Sequence, residues 1–146
     1  PIVKDTNVKI ITSRFTRTLS TLISSGIPLL QSIDVVAKVV GNKVVHDRLA
    51  IAAENVRKGV ALSRAINEMG VFPPMVDSMI KIGEESGSLD DILYKTADFY
   101  DDEVEVALQR MTSLMEPLML VVMAVVIGFI VIAMAMPMFD MVNTIQ

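Results

Sequence analysis

An all-α fold, a six-helix bundle whose last helix continues into one transmembrane helix, is what this 146-residue sequence predicts. Three observations carry it. Apolar residues recur at helical spacing through the first two thirds of the chain, and Gly and Pro interrupt them at short intervals. No stretch shows the apolar–polar alternation of a half-buried strand. Between Glu116 and Asp140 lie 23 uncharged residues, "PLMLVVMAVVIGFIVIAMAMPMF". As a helix rising about 1.5 Å per residue they reach about 34 Å, enough for a hydrocarbon core of about 30 Å.

The elements follow in order. Residues 10–24 put Ile11, Phe15, Leu19, Leu22 and Ile23 on one helical face, and residues 1–9 read as a lead-in. Gly26 suits the left-handed end of that helix and Pro28 the first turn of the next. The second helix runs to about Val40 and ends at Gly41. Asn42 is placed to cap a third, which ends at Gly59. "ALSRAINEM" forms a short fourth helix closed by Gly70, and Pro73-Pro74 opens a fifth that lasts to about Glu85. In "GEESGSLDD", residues 83–91, Ser86-Gly87 ends the fifth helix and Ser88 can cap the sixth. Asp90 and Asp91 then meet the positive end of its dipole, and Ser88-x-x-Asp91 imitates a capping box. Leu89, Ile92, Leu93, Thr96, Ala97 and Tyr100 can face the bundle, and no stop precedes the membrane. The resulting division is a helical bundle domain over 10–110, a transmembrane helix over 111–138 and a short external tail over 139–146. Pro117 and Pro137 bracket the span, and Pro117 is positioned to kink its entry.

Charge is unevenly spread. Residues 1–70 carry ten Lys/Arg and five Asp/Glu, residues 71–146 three and twelve. Two oppositely charged halves that fold on each other explain this plainly; a basic half that receives an acidic partner is the sharper reading. Arg14, Arg17, Lys43, Arg48, Arg57, Lys58 and Arg64 are the candidate contacts. Lys95 and Arg110 precede the span and nothing basic follows it, which places the bundle in the cytoplasm.

Chemistry has little to stand on. The chain has no cysteine and a single histidine, His46, beside Asp47 and Arg48. There is no GxSxG elbow and no Walker A sequence, and the carboxylates of 83–91 lack EF-hand spacing. A membrane-anchored enzyme using Glu84 and Glu85, with or without a divalent metal, is the alternative from another class. Eight of the eleven methionines fall at or after Met111. Alternate positions such as Met134, Met136 and Met138 diverge around a helix, so adaptable packing explains them better than copper.

Three blocks resemble the F-domain family of inner-membrane platform proteins of type II secretion and type IV pilus assembly. The first is "FTRTLSTLISSGIPLLQSI", with Phe15, Arg17, Gly26 and Pro28. The second, "GVALSRAINEMGVFPPMVDSMIKIGEESGSLDDILYKTADFY", carries Gly59, Pro73, Gly83, Glu84, Gly87 and Leu89. The third, "EPLMLVVMAVVIGFIVIAMAMPMF", carries Pro117, Gly128 and Pro137. The resemblance implies a non-catalytic scaffold in the bacterial inner membrane, with its six-helix bundle cytoplasmic. It implies contacts with a cytoplasmic assembly ATPase, with pilin or pseudopilin, with other inner-membrane assembly proteins, with membrane lipid and with further copies of itself, forming a homo-oligomer. No cofactor, no metal site and no nucleic acid are expected. Family members carry two such bundles and three spans. This chain, opening on Pro1 and without an internal repeat, is expected to be the second bundle with the final span, as a fragment or a minimal variant.

Overall fold

The computed structural model describes residues 2–146. Six helices follow one another: α1 (Ile2–Ser24), α2 (Leu29–Val39), α3 (Lys43–Arg57), α4 (Leu62–Met69), α5 (Pro74–Ser86) and α6 (Leu89–Ile145). Among the described residues there is no strand. Gly26, Gly41, Gly59, Gly70 and Gly87 all have positive φ and mark the helix ends read from the sequence. Asn42 caps α3 as its side chain predicts, its Oδ1 accepting from the amides of Val44 and Val45. Pro28 stands one position earlier than expected, as the residue before α2, and its carbonyl receives the Ser32 amide at 2.9 Å.

Packing divides the chain between Ala107 and Leu108 into two units. In the first, consecutive helices from α1 to α5 pack against each other. Phe15, Leu19, Ile33, Val36, Leu49, Ile66, Ile80 and Leu93 are shut off from solvent and form one continuous core. Removing a side chain of this size from water contributes about 1.5–3 kcal/mol. Phe15 stacks on Phe72, with ring centroids 4.6 Å apart and planes at 29°. The α4–α5 connection is thereby fastened to the middle of α1. From α6 the core takes Leu93, Thr96, Ala97 and Tyr100, spaced as one helical face. Leu89 and Ile92, expected on that face, are half-buried at its edge.

Two expectations at the chain ends need correction. Residues 2–9, read as a lead-in, form the first turns of α1. They have no apolar period, so the sequence pattern was silent. The helix there is supported instead by the buried Thr6, whose hydroxyl donates to the Ile2 carbonyl at 2.9 Å, and by Lys9 with Glu103 at 3.3 Å. At the other end, helix continues past Pro137 to Ile145, through the expected tail, and Pro117 also lies inside it. A proline removes one amide from the ladder. No glycine lies within ten residues after Pro117, and none follows Pro137 in this chain, to turn it away.

The second unit, from Leu108 on, is helix to Ile145 and long and apolar enough to cross a membrane. Its apolar side chains have no protein cover: Phe129 is 75% exposed and its apolar neighbours are more than half exposed. An all-apolar helix left bare in this way requires a non-aqueous surrounding.

Among the glycines, Gly83 is the one where a side chain would meet its neighbours most closely. A Cβ there would come within 2.9 Å of the Leu89 Cα and 3.0 Å of its Cδ1. Gly83 has an ordinary helical φ, so close approach and not conformation demands glycine. Gly83→Ala must push α6 away from α5 and is expected to lower stability by about 1–3 kcal/mol in urea unfolding. Gly128→Ala, where nothing lies within 4 Å, is expected to leave the domain's unfolding midpoint unchanged.

Candidate functional site

The carboxylate-rich segment 83–91 is a structural joint. Glu84 points from α5 to the start of α4, where its Oε1 accepts the Ser63 amide at 2.6 Å and its Oε2 the Leu62 amide at 3.2 Å. The residue before α4, Ala61, has no capping side chain, so the acid that a local cap would supply arrives from the next helix. Negative charge there also meets the positive end of the helix dipole. At the far side of the joint the expected capping box does not form. Ser88 pairs its hydroxyl with that of Ser86 at 2.7 Å, and Asp91 meets Lys95 at 3.0 Å. Glu85 is exposed. Among the described residues no three His, Asp or Glu side chains converge as a metal ion needs.

A second cluster clamps α1 to α6. Arg17 Nη2 donates to Asp98 Oδ1 at 2.6 Å and to Asp101 Oδ2 at 2.5 Å, and its guanidinium lies 5.0 Å from the centre of the Tyr94 ring. The Ser13 hydroxyl donates to the other Asp101 oxygen. Hydrogen bonds to Asp98 and Asp101 raise the Arg17 pKa above its already high ordinary value. Burial pushes the Asp101 carboxyl up, but the bonds from Ser13 and Arg17 outweigh it and hold the group below the usual aspartate range. Beneath the clamp the seam is polar yet satisfied. Thr12, Thr16 and Thr96 are buried and donate to carbonyls one turn back in their own helices, and Ser20 donates across to the Asp90 carbonyl at 3.1 Å. Asp98, Asp101 and Tyr94 were missed by sequence reasoning. The usable signal was the three-residue spacing of the two aspartates, which sets both on one helical face.

The other basic candidates separate into engaged and free. Arg48 donates to the Met69 carbonyl at the end of α4 at 2.8 Å. Arg57 pairs with Glu54 at 2.8 Å and Arg64 with Glu68 at 3.3 Å. Among the described residues Arg14, Lys43 and Lys58 have no acidic partner within ion-pair distance and are exposed. Arg14 and Lys43 come together at the α2–α3 corner, where an Arg14 Nη lies 3.8 Å from the point a Cβ on Gly41 would occupy. Lys38, in the last turn of α2, joins them and was missed by sequence reasoning. His46 fixes the corner by donating from Nδ1 to the Ala37 carbonyl at 2.8 Å, since a carbonyl can only accept. Arg57 and Lys58 stand at the opposite end of α3, about 21 Å away along the helix.

Two shallow clefts flank α4. One, of about 380 Å³, lies between α3 and α4 over Ala52 and Ala65. The other, of about 340 Å³, is lined by Arg64, Asn67, Asp77 and Lys81 among others. Burial raises the Asp77 pKa, while Asn67 donates to its Oδ2 at 2.9 Å and its Oδ1 has no partner. That orphan oxygen is out of solvent's reach, so the cleft does not present it to a ligand.

The family model for protein F of the type II secretion system matches residues 15–137. The chain belongs to the protein F family. It is similar to the "Type IV pilus assembly protein PilC" of Myxococcus xanthus, 42% identical over 94% of this chain and 33% of that protein. The protein of the same name from Thermus thermophilus is 39% identical over 100% of this chain and 36% of its own length. A "Type II secretion system protein F" from Aeromonas hydrophila is 39% identical over 92% and 35%. The chain therefore spans about a third of the curated relatives it matches. Those F-family relatives are named for assembly and secretion, not for catalysis, and a bare apolar helix fits a membrane-anchored protein.

Two outcomes are expected from this geometry. Glu84→Ala, which uncaps α4, should cost about 1–2 kcal/mol, whereas Glu85→Ala should stay within about 0.5 kcal/mol of the natural protein in the same urea titration. For Asp101, whose folded pKa is depressed, the stabilisation is complete above its unfolded pKa, near 4, and is lost as pH falls through the lower folded value. Urea midpoints between pH 7 and pH 2.5 should fall less steeply in Asp101→Asn than in the natural protein; parallel curves would remove the clamp from the pH dependence.

Proposed function

We propose that this chain is part of a non-catalytic inner-membrane platform. The platform couples a cytoplasmic assembly ATPase to the insertion of pilin or pseudopilin subunits, in type IV pilus assembly or type II secretion. Membership of the protein F family over residues 15–137 carries the reading. The helical domain lies on the cytoplasmic side, as Lys95 and Arg110 before the span and the absence of any Lys or Arg after it favour. The bare helix meets lipid, pilin or neighbouring spans, and its methionines give it an adaptable surface.

The ATPase meets the α2–α3 corner. Arg14, Lys38 and Lys43 are exposed there without acidic partners among the described residues, so their charge is available to an acidic surface. Arg17 is taken up in the α1–α6 clamp, and Arg48 is bonded to the Met69 carbonyl away from that corner. Of the two carboxylates that an enzymatic reading would recruit, Glu84 is occupied by the amides of α4.

Photo-crosslinking in intact cells tests both halves, with probes at Lys43 and Met123 and partners identified by mass spectrometry. An assembly ATPase is expected at the first probe and a pilin or a neighbouring span at the second. Arg14→Glu combined with Lys43→Glu should reduce ATPase capture and filament yield by about tenfold or more, equivalent to roughly 1.4 kcal/mol, with helical content and Tm unchanged. Neither partner at either probe, in cells producing filaments, would overturn the reading.

A further inference from the structure

Two exposed surfaces of the domain are unused by everything described above, and they match each other. The first is the cleft between α3 and α4. Its floor is made of the small side chains Ala52 and Ala65, Ile51 and Met69 stand at its sides, and Arg48 and Asn55 lie along it. Val44, Arg48, Ile51, Asn55 and Lys58 follow one another at spacings of four and three along α3, which makes them one helical stripe. Val44 and Ile51 on this stripe are 57% and 64% exposed. Two cations, Arg48 and Lys58, and one carboxylate, Asp47, flank them on the helix. Lys58 has no acidic partner among the described residues, Arg48 is bonded to a neutral carbonyl and keeps its charge, and Glu68 on the rim is neutralised by Arg64.

The second surface is the outer face of α6 within the same domain. Phe99 and Val106 are 45% and 42% exposed there, and Asp102 and Glu105 lie between them. Neither acid has a basic partner among the described residues. Phe99 and Val106 are seven residues apart, as are Val44 and Ile51, so each surface offers two apolar anchors about 10.5 Å apart. Arg48 and Lys58 stand beside one pair, and Asp102 and Glu105 between the members of the other.

We propose that the α3–α4 cleft receives the acidic face of α6 from a second copy of this chain, with Phe99 over the Ala52–Ala65 floor and Asp102 and Glu105 facing Arg48 and Lys58. The apolar pairs supply the buried centre of such a contact and the charges its register. One contact leaves a free cleft on one copy and a free α6 face on the other, so the pairing closes reciprocally in a dimer or continues around a ring. The bare apolar helix confines copies to a common membrane plane and raises their effective concentration, which lets a small contact suffice. The inference goes beyond the platform reading and does not depend on the ATPase site, whose residues lie at the α2–α3 corner.

The chain's lack of cysteine makes the test clean. Two differently tagged forms of the membrane-embedded natural protein are co-expressed, one carrying only Ile51→Cys and the other only Phe99→Cys, and oxidised in native membranes. A disulfide joining the two tags is expected. Placing Lys58→Glu in the first form, or Asp102→Lys in the second, should lower its yield about fivefold or more, and both together should restore it. That rescue separates pairing from misfolding, since two damaged domains do not repair each other. Absence of the mixed-tag disulfide overturns the proposal. So does capture of a different protein at Ile51, or a yield indifferent to both charge reversals.

Discussion

The contact between the end of α5 and the starts of α4 and α6 governs the domain. Within two consecutive residues, Gly83 lets Leu89 pack where a Cβ would clash with it and Glu84 caps α4 with both carboxylate oxygens. The first sets how closely α6 leaves the corner; the second fixes an eight-residue helix too short to hold itself together by propensity. α4 in turn places Leu62, Ala65, Ile66 and Met69 in the core, and it forms one wall of the α3–α4 cleft. A change at 83 or 84 therefore reaches surfaces on the other side of the domain through ordinary packing.

The α1–α6 seam answers a different physical problem. Threonine and serine line it where leucine would be expected, yet the threonine hydroxyls are satisfied by their own helices and that of Ser20 by the Asp90 carbonyl, so burial leaves no unmet donor. Specific alignment then comes from the edge, where Arg17 is gripped by two aspartates and Lys9 by Glu103. Partly exposed ion pairs of this kind contribute modest stability. Their value lies in register: a seam of small satisfied side chains has little shape to fix it, and the charge clamp supplies what shape does not. The uneven distribution of charge along the sequence is thus partly spent inside the domain, basic α1 against acidic α6. Among the described residues, the charges left without an ion-pair partner include those on the α2–α3 corner, at the end of α3 and on the outer face of α6.

Beyond Ala107 the logic changes from packing to solvent. No side chain of the apolar segment is buried by protein, and the prolines do not interrupt its helix. An uncovered surface of this kind is stable where the surrounding medium is apolar and every backbone group is bonded within the helix.

Local chemistry was enough to place the helices, the span and the family. Glycines and prolines end helices through their own backbone geometry, Asn42 caps through its own side chain, and 23 uncharged residues declare their environment without a partner. The buried stripe of α6 was legible for the same reason, since its period belongs to one helix. The roles of Glu84 and Arg17 were not, because each depends on groups 21 to 84 residues away that are near only after folding. Glu84 looked like one of four acids in a loop, and only the neighbouring helix made it a cap. Arg17 looked like one of seven candidate cations, and only α6 made it a clamp. Which charges are left for a partner is therefore a tertiary result: sequence supplies the inventory of charge, and the fold decides by distance what is already neutralised.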